Sequence, residues 1–172
     1  MRFVFLFIVF LFPHVGFAET IKGSHDTSLH LTYIAEFNEP WAIEHLDSQS
    51  ILLTEKSGQM WRVDNAGNKT LIRGVPKVEY GGQGGLGDIK LHPDFAENRL
   101  IYFSAIASDD GGATRGAVVY RAEFTGDALE NVQQIWRQDP FVSGMGHFGH
   151  KLAFAKDAAT DRDVILVGRA HV

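Results

Sequence analysis

The segment Trp41–Val63, with the sequence WAIEHLDSQSILLTEKSGQMWRV, predicts three short β-strands joined by tight turns. Trp41–Leu46 and Ser50–Glu55 are rich in apolar and β-branched residues, and Gln59–Val63 alternates polar with apolar side chains. Lys56-Ser57-Gly58 is a turn signal, because glycine adopts the left-handed backbone angles that hairpin turns need. Strands joined so closely pair antiparallel, and the segment therefore predicts an antiparallel sheet.

The rest of the chain continues with strands of the same kind. Asp127–Glu130 is compatible with one helical turn, and no longer helical period is found. Further strands are predicted at residues 69–73, 88–91, 100–105, 117–124, 132–136, 151–154 and 164–167. Grouped in fours, these strands predict repeated antiparallel sheets of about 45 residues each, which is typical of β-propeller blades. The pattern alone leaves a β-sandwich open as the alternative all-β fold.

Composition excludes several classes of function. The formal net charge is -5 and no basic cluster is present, so nucleic acid has no electrostatic site on this chain. The sequence has no cysteine, which excludes disulfides and thiolate chemistry. No Gly-x-Ser-x-Gly sequence occurs, so a serine hydrolase of the nucleophile-elbow type is not supported.

Residues 1–18 are predicted to be a secretory signal peptide. Arg2 gives a short positive region, Phe3–Phe12 is an unbroken apolar run, and Gly16-Phe17-Ala18 places small residues before a cut at Glu19. The apolar run is too short to span a bilayer core of about 30 Å. We expect a periplasmic or secreted protein without membrane insertion after cleavage, with residues 19–172 forming one partial domain.

The glycine cluster Gly81–Gly87 contains the pattern G-x-G-x-x-G. A dinucleotide site would need a helix directly after it, whereas Asp88–Leu91 alternates like a strand and Pro93 follows. Two interpretations remain open: a flexible surface loop, or a loop whose backbone approaches a flat ligand. In the second, Gln83 is the side chain with donor and acceptor capacity, and a neutral amide suits sugar hydroxyls.

Two histidines close to the C-terminus stand beside glycines. His147 lies in Met145-Gly146-His147-Phe148-Gly149, and an imidazole at such a turn can act as a base near neutral pH. His150 completes an H-x-x-H pair with it. Strand alternation after Gly149 is expected to point the two rings to opposite sides, and no third ligand is near in sequence, so no metal site is assigned to this chain.

Other chemistry-bearing residues are expected to be structural. His92 precedes Pro93 in a turn, where it is expected to cap or pack. The three tryptophans lie in predicted strands and are expected in the core, at Trp41, Trp61 and Trp136.

Four segments, taken in order, resemble one family. Glu39–Ile43 is similar to a Pro-Trp-Gly-hydrophobic opening, and Ile51–Gly58 is similar to a Leu-Val-Thr-Glu-Arg-x-Gly strand and turn. Gly82–Asn98 resembles the signature Gly-Gln-Gly-Gly-Leu-Leu-Asp-Val-Ala-Leu-His-Pro-Asp-Phe, which is the most specific of the four. His147–Phe154 resembles His-Phe-Gly-Gly-Arg-Leu-Ala-Phe. The family is that of the soluble pyrroloquinoline quinone (PQQ) dependent sugar dehydrogenases, the glucose/sorbosone dehydrogenase type.

The resemblance implies a six-bladed β-propeller that binds PQQ, calcium and an aldose near its axis. It implies oxidation of the aldose at C1 to the lactone, with an electron acceptor as a further partner. The residue that matches His147 takes the proton of the C1 hydroxyl, and the hydride passes to the quinone. The residue that matches Gln83 contacts the substrate.

The chain departs from the family pattern at several positions. Gly146 stands where some members have an acidic residue, His150 replaces a glycine, and Lys151 replaces an arginine. About two and a half blades are expected here, and the groups that hold PQQ are expected beyond the C-terminus. We therefore expect a truncated form without activity alone. Two alternatives remain: a non-catalytic propeller fragment that acts as a binding module, and a sugar-lactonase-type hydrolase, which would need metal-binding carboxylates.

Overall fold

The computed structural model describes residues 18–25 and 27–169. The predicted signal peptide lies outside these residues apart from Ala18. No helix among the described residues is long and apolar enough to cross a membrane. Contacts divide the chain into two units, residues 1–35 and 36–172. In the first unit, β1 (Ala18–Lys22) and β2 (Ser28–Thr32) form an antiparallel hairpin.

The second unit begins with a four-stranded antiparallel sheet in which each strand pairs with the next in sequence. Its second strand is almost fully buried, and Gly58, with φ of 103°, makes the turn that follows it. The strands are β3 (Pro40–His45), β4 (Ser50–Glu55), β5 (Gln59–Asp64) and β6 (Lys69–Leu71). The three strands predicted from Trp41–Val63 are confirmed.

A second four-stranded sheet follows, with the same order of pairing. Its strands are β7 (Leu86–Leu91), β8 (Leu100–Ala107), β9 (Gly116–Phe124) and β10 (Leu129–Arg137). The helix α1 (Phe95–Asn98) lies between β7 and β8 and ends where Arg99 adopts φ of 56°. The helical turn considered for Asp127–Glu130 is wrong, because Leu129 pairs with Phe124 in the sheet.

A third, two-stranded sheet is formed by β11 (Gly149–Lys156) and β12 (Asp163–Arg169). β7 packs against β3 and β4 on one side and against β11 on the other. The core between the sheets is apolar and includes Leu52, Met60, Ile89, Phe103, Val118 and Phe124.

The fold is that of an all-β propeller, with two complete blades and half of a third in the described residues. Each blade is a meander of consecutive strands, whereas the Greek-key connections of a sandwich exchange strands between sheets. The propeller prediction is confirmed, and the sandwich alternative is wrong. The first strand of each sheet, β3, β7 and β11, lies beside its counterpart, and this brings the loops that precede these strands together.

Candidate active site

Two loops distant in sequence meet at one end of the first strands. Gln83 precedes β7, and His147 precedes β11. The backbone N–H of Gln83 donates to the carbonyl oxygen of Met145 at 2.7 Å. The side-chain Oε1 of Gln83 accepts a hydrogen bond from the backbone N–H of His147, also at 2.7 Å. The structure thus joins the two predicted site residues directly, although 64 positions separate them.

Both residues border a cavity of about 280 Å³. Its other walls are Trp41, Phe148, Gly149 and His150. The lining contains donors, acceptors and two large apolar faces, but no Lys, Arg, Asp or Glu side chain. Such a lining favours a neutral polar ligand, because a charged ligand would lose hydration without gaining an ionic partner.

The glycines of the loop before β7 allow it to pack against the chain's own backbone. Gly82 has φ of 55°, and a Cβ there would lie 2.2 Å from the carbonyl oxygen of Met145. Gly85 has φ of 136°, and a Cβ there would lie 2.0 Å from the carbonyl oxygen of Lys56. Any larger residue would separate these loops. Residues 84–87 are buried whereas Gly82 and Gln83 are exposed, so the loop is packed in its second half and reaches the surface at Gln83.

The loop before β11 is held in an uncommon backbone conformation. His147, Gly149 and His150 have φ of 59°, 73° and 43°. For a residue with a Cβ this left-handed region costs roughly 1–2 kcal/mol. In β11, exposed and buried residues already alternate from Gly149, with His150 buried and Lys151 exposed. That the rings of His147 and His150 point to opposite sides stays a prediction. His147 is exposed, His150 is buried, and both border the cavity.

The imidazole of His150 is only 2 % exposed and is fixed by one serine. Ser104 Oγ donates its hydrogen to the carbonyl oxygen of His150 at 2.7 Å and accepts the backbone N–H of Asp88 at 2.9 Å. The same oxygen lies 3.0 Å from Nδ1 of His150. Since the hydroxyl hydrogen is already used, Nδ1 must be the donor in this contact. The ring is therefore the Nδ1–H tautomer, with a lone pair on Nε2.

Nε2 of His150 is buried and has no hydrogen-bond partner among the described residues. Burial lowers the pKa of His150 from its ordinary value of 6.5 to about 4, against the opposing effect of the negative charge of Asp88. The ring is consequently neutral at physiological pH.

Two residues enclose the ring of His150. A Cβ at Gly87 would lie 2.1 Å from Nδ1 and from Cε1, so this edge of the ring occupies the space that a side chain there would fill. The indole of Trp41 stacks on the ring at 5.7 Å between centroids. Trp41 is 44 % exposed, so its expected place in the core is wrong, while Trp61 and Trp136 are half-buried.

Sequence reasoning missed the pairing of Gly87 with His150. The related signature has leucine at the position of Gly87, and the related loop has glycine at the position of His150. A large and a small residue have exchanged places across one contact. The signal was present as two departures in separate segments, but nothing in the sequence showed that these segments touch.

A second missed residue is Asp88, whose side chain is buried and links β7 to β11. One carboxylate oxygen accepts the backbone N–H of Leu152 at 2.8 Å. The other accepts the backbone N–H of Ile89 at 3.0 Å and is bound by Lys151 Nζ at the same distance. Lys151, which replaces an arginine of the family pattern, thus retains an ionic partner. The carboxylate fixes the start of β11 directly behind the histidine loop.

His92 caps a turn, which confirms its expected structural role. Its Nδ1 accepts the backbone N–H of Asp94 at 3.0 Å and lies 2.9 Å from Nδ2 of Asn98. The ring also belongs to a group whose possible ligand atoms lie within 4.8 Å of one another, with Asp94 and Asp163. Asp163 is paired with Lys156 Nζ at 3.1 Å, so the chain itself compensates the charge of this group.

Comparison with known proteins identifies what this arrangement is similar to. A sequence model described as glucose / sorbosone dehydrogenase matches residues 37–160. The aldose sugar dehydrogenase YliI of Escherichia coli (strain K12) is 35 % identical over 123 residues, which cover 69 % of this chain and 33 % of that protein.

Solved structures agree with the sequence comparisons. A glucose dehydrogenase superposes with a TM-score of 0.64 at 36 % identity. The superposition covers 68 % of this chain and 37 % of the glucose dehydrogenase chain. The PQQ-bound form of an aldose sugar dehydrogenase from Streptomyces coelicolor superposes with a TM-score of 0.59 at 26 % identity, covering 83 % of this chain and 40 % of its own. The chain thus spans little more than a third of the length of the proteins it matches.

Proposed function

The chain belongs to the glucose/sorbosone dehydrogenase family, and on this premise we propose that it forms the sugar-binding side of a PQQ-dependent aldose dehydrogenase site. His147 is the base in this proposal, and Gln83 is a substrate ligand. The observation that carries it is the hydrogen bond from the His147 backbone to Gln83 Oε1, which places both side chains at one cavity.

The two side chains have complementary tasks. The oxygen of the Gln83 amide is used by the His147 backbone, which leaves the amide NH₂ to donate to a sugar oxygen. The exposed imidazole of His147 takes the proton from the C1 hydroxyl as that carbon is oxidised. A lining without charged side chains suits an uncharged aldose.

PQQ supplies the hydride acceptor when it is bound. Its carboxylates require cationic partners, and the lining of this cavity has none among the described residues. The residues present therefore fit the sugar and do not by themselves fit the cofactor. We propose that the groups that hold PQQ and calcium, and those that contact the electron acceptor, lie elsewhere in the assembled propeller. A lactonase-type hydrolase would need metal-binding carboxylates, and the described lining of this cavity contains none.

Dye reduction in the presence of added PQQ and calcium tests this proposal in a full-length family member, with each change made at the position that matches this chain's residue, because this chain alone is expected to be inactive. We expect aldoses to support reduction and His147→Ala to lower kcat by about 100-fold or more. Gln83→Ala is expected to raise KM. His45→Ala is the matched control, because His45 is exposed and does not border the cavity. Turnover at the normal rate by His147→Ala would overturn the role of the base, and no reduction with any aldose would overturn the activity.

Export to the periplasm or the medium is part of the same proposal. It is supported by the basic, apolar and small-residue regions at Arg2, Phe3–Phe12 and Gly16-Phe17-Ala18. N-terminal sequencing of the isolated protein should begin at Glu19, and a retained Met1 would contradict it.

A further inference from the structure

We infer that His150 determines substrate specificity in this cavity, with its Nε2 accepting a hydrogen bond from a hydroxyl group of the bound sugar. The inference rests on the proposed function, since it names a second sugar contact in the same site. It assigns a role to a side chain that the base and the amide ligand leave unexplained.

The unpaired Nε2 of His150 indicates a hydrogen bond to a ligand. A buried polar atom without a partner is uncommon, because losing its hydration costs about 1–3 kcal/mol. Every other polar atom of His150 is satisfied: the backbone N–H donates to Phe148, while Nδ1 and the carbonyl oxygen both bond Ser104. Nε2 is the only polar atom of His150 without a partner among the described residues. A ligand in the cavity that His150 borders can satisfy it.

Ser104 also decides which ligand group fits. Because its hydroxyl fixes the Nδ1–H tautomer, Nε2 can only accept. The low-dielectric surroundings keep the ring uncharged, so the atom remains an acceptor at physiological pH. A ligand hydroxyl fits at this position because it can donate a hydrogen bond to Nε2. A ligand oxygen that carries no hydrogen does not fit, because it would leave Nε2 unpaired.

Trp41 controls access to Nε2. Its indole stacks on one face of the imidazole, and the backbone at Gly87 lies against the Nδ1–Cε1 edge of the ring. Nε2 is therefore shielded from water when no ligand is present. Trp41 is 44 % exposed and lies outside the packed core, so its ring can turn towards solvent at small cost. Entry of the sugar is expected to displace it from the stack.

Imidazole NMR of the ¹⁵N-labelled chain tests the inference with D-glucose as the probe. Without sugar we expect His150 to show a protonated Nδ1 and an unprotonated Nε2. Addition of D-glucose should shift the Nε2 resonance upfield as it accepts a hydrogen bond and leave Nδ1 protonated. His92 is the matched control, because it is a half-buried histidine whose ring does not border the cavity.

The same spectra separate failure of this inference from failure of the proposed function. If D-glucose shifts the resonances of Gln83 and His147 while Nε2 of His150 does not move, the role of His150 is overturned and the sugar site stands. If none of the three moves, both are overturned. An Nε2 that is protonated in the free chain would also overturn the inference.

Two variants give a second readout. His150→Gln removes the acceptor-only nitrogen, and we expect the affinity for D-glucose, followed at the Gln83 amide, to fall about tenfold. Ser104→Ala leaves the histidine in place but frees its tautomer, and a smaller loss is expected together with a mixed Nδ1–H and Nε2–H signal. Unchanged affinity in Ser104→Ala, with the mixed signal present, would overturn the inference even if His150→Gln fails to fold.

Discussion

The buried histidine beside the active-site loop predicts a specific loss of stability in mild acid. The unfolded chain takes up a proton on His150 as pH falls through 6.5, whereas burial lowers the pKa of the folded protein to about 4. Between these values the unfolded state binds more protons than the folded state. Stability is thus fully retained above pH 6.5 and is lost progressively as pH falls towards 4.

The size of this loss follows from the two pKa values. One pKa unit corresponds to about 1.4 kcal/mol, so the interval from 6.5 to about 4 is worth roughly 3 kcal/mol. His150 is 2 % exposed, so solvent screening does little to reduce this figure. Against a typical stability of 5–15 kcal/mol, the change should be easily measured.

Urea unfolding at a series of pH values from 7.5 to about 4 is the assay, comparing the natural chain with His150→Gln. We expect the free energy of unfolding of the natural chain to decrease as the pH is lowered. Relative to the free energy of unfolding of His150→Gln, it should decrease by roughly 3 kcal/mol over this range. Asp110, whose pKa its hydrogen bonds to Thr114 and Ser108 lower to about 2, affects both proteins alike and only in stronger acid. Parallel curves for the two proteins would refute the reasoning.

Three further substitutions test the packing around the site. Gly87→Ala should lower stability by about 1–3 kcal/mol in urea unfolding, because its Cβ overlaps the ring of His150, and adding His150→Gly should restore part of the loss. Asp88→Ala should cost about 1–3 kcal/mol by leaving the N–H of Leu152 unpaired, and hydrogen exchange should then accelerate along β11 first; uniform acceleration would contradict this. Gly82→Ala should separate the two loops and weaken D-glucose binding without greatly lowering the melting temperature; undiminished binding would show that this approach is unnecessary.

Much of the fold was predictable because strands and turns leave local signals. In β11, Leu152 is buried and Phe154 half-buried while Lys151 and Ala153 are exposed, so the alternation reports which face packs inward. The loop before β11 gives no such signal, because the positive φ at His147 separates its backbone from that of a regular strand.

The candidate site was only partly predictable. Gln83 and His147 could be paired through family resemblance, but their contact depends on backbone atoms of two loops that no local pattern connects. Trp41 looked like a core residue, because a strand pattern cannot distinguish a buried face from one that borders a cavity. Asp88 looked like an ordinary polar position in an alternating strand, although its carboxylate is a buried link between blades.

The exchange of side-chain volume between Gly87 and His150 has a consequence for the order in which the two positions changed. A leucine at position 87 cannot coexist with the imidazole of His150 in its present place, since the first carbon of that side chain would fall 2.1 Å from the ring. Glycine at both positions leaves only a void, which a fold can tolerate at a cost of a few kcal/mol. A change that places glycine at position 87 first therefore avoids the overlap that histidine arriving first at position 150 would create.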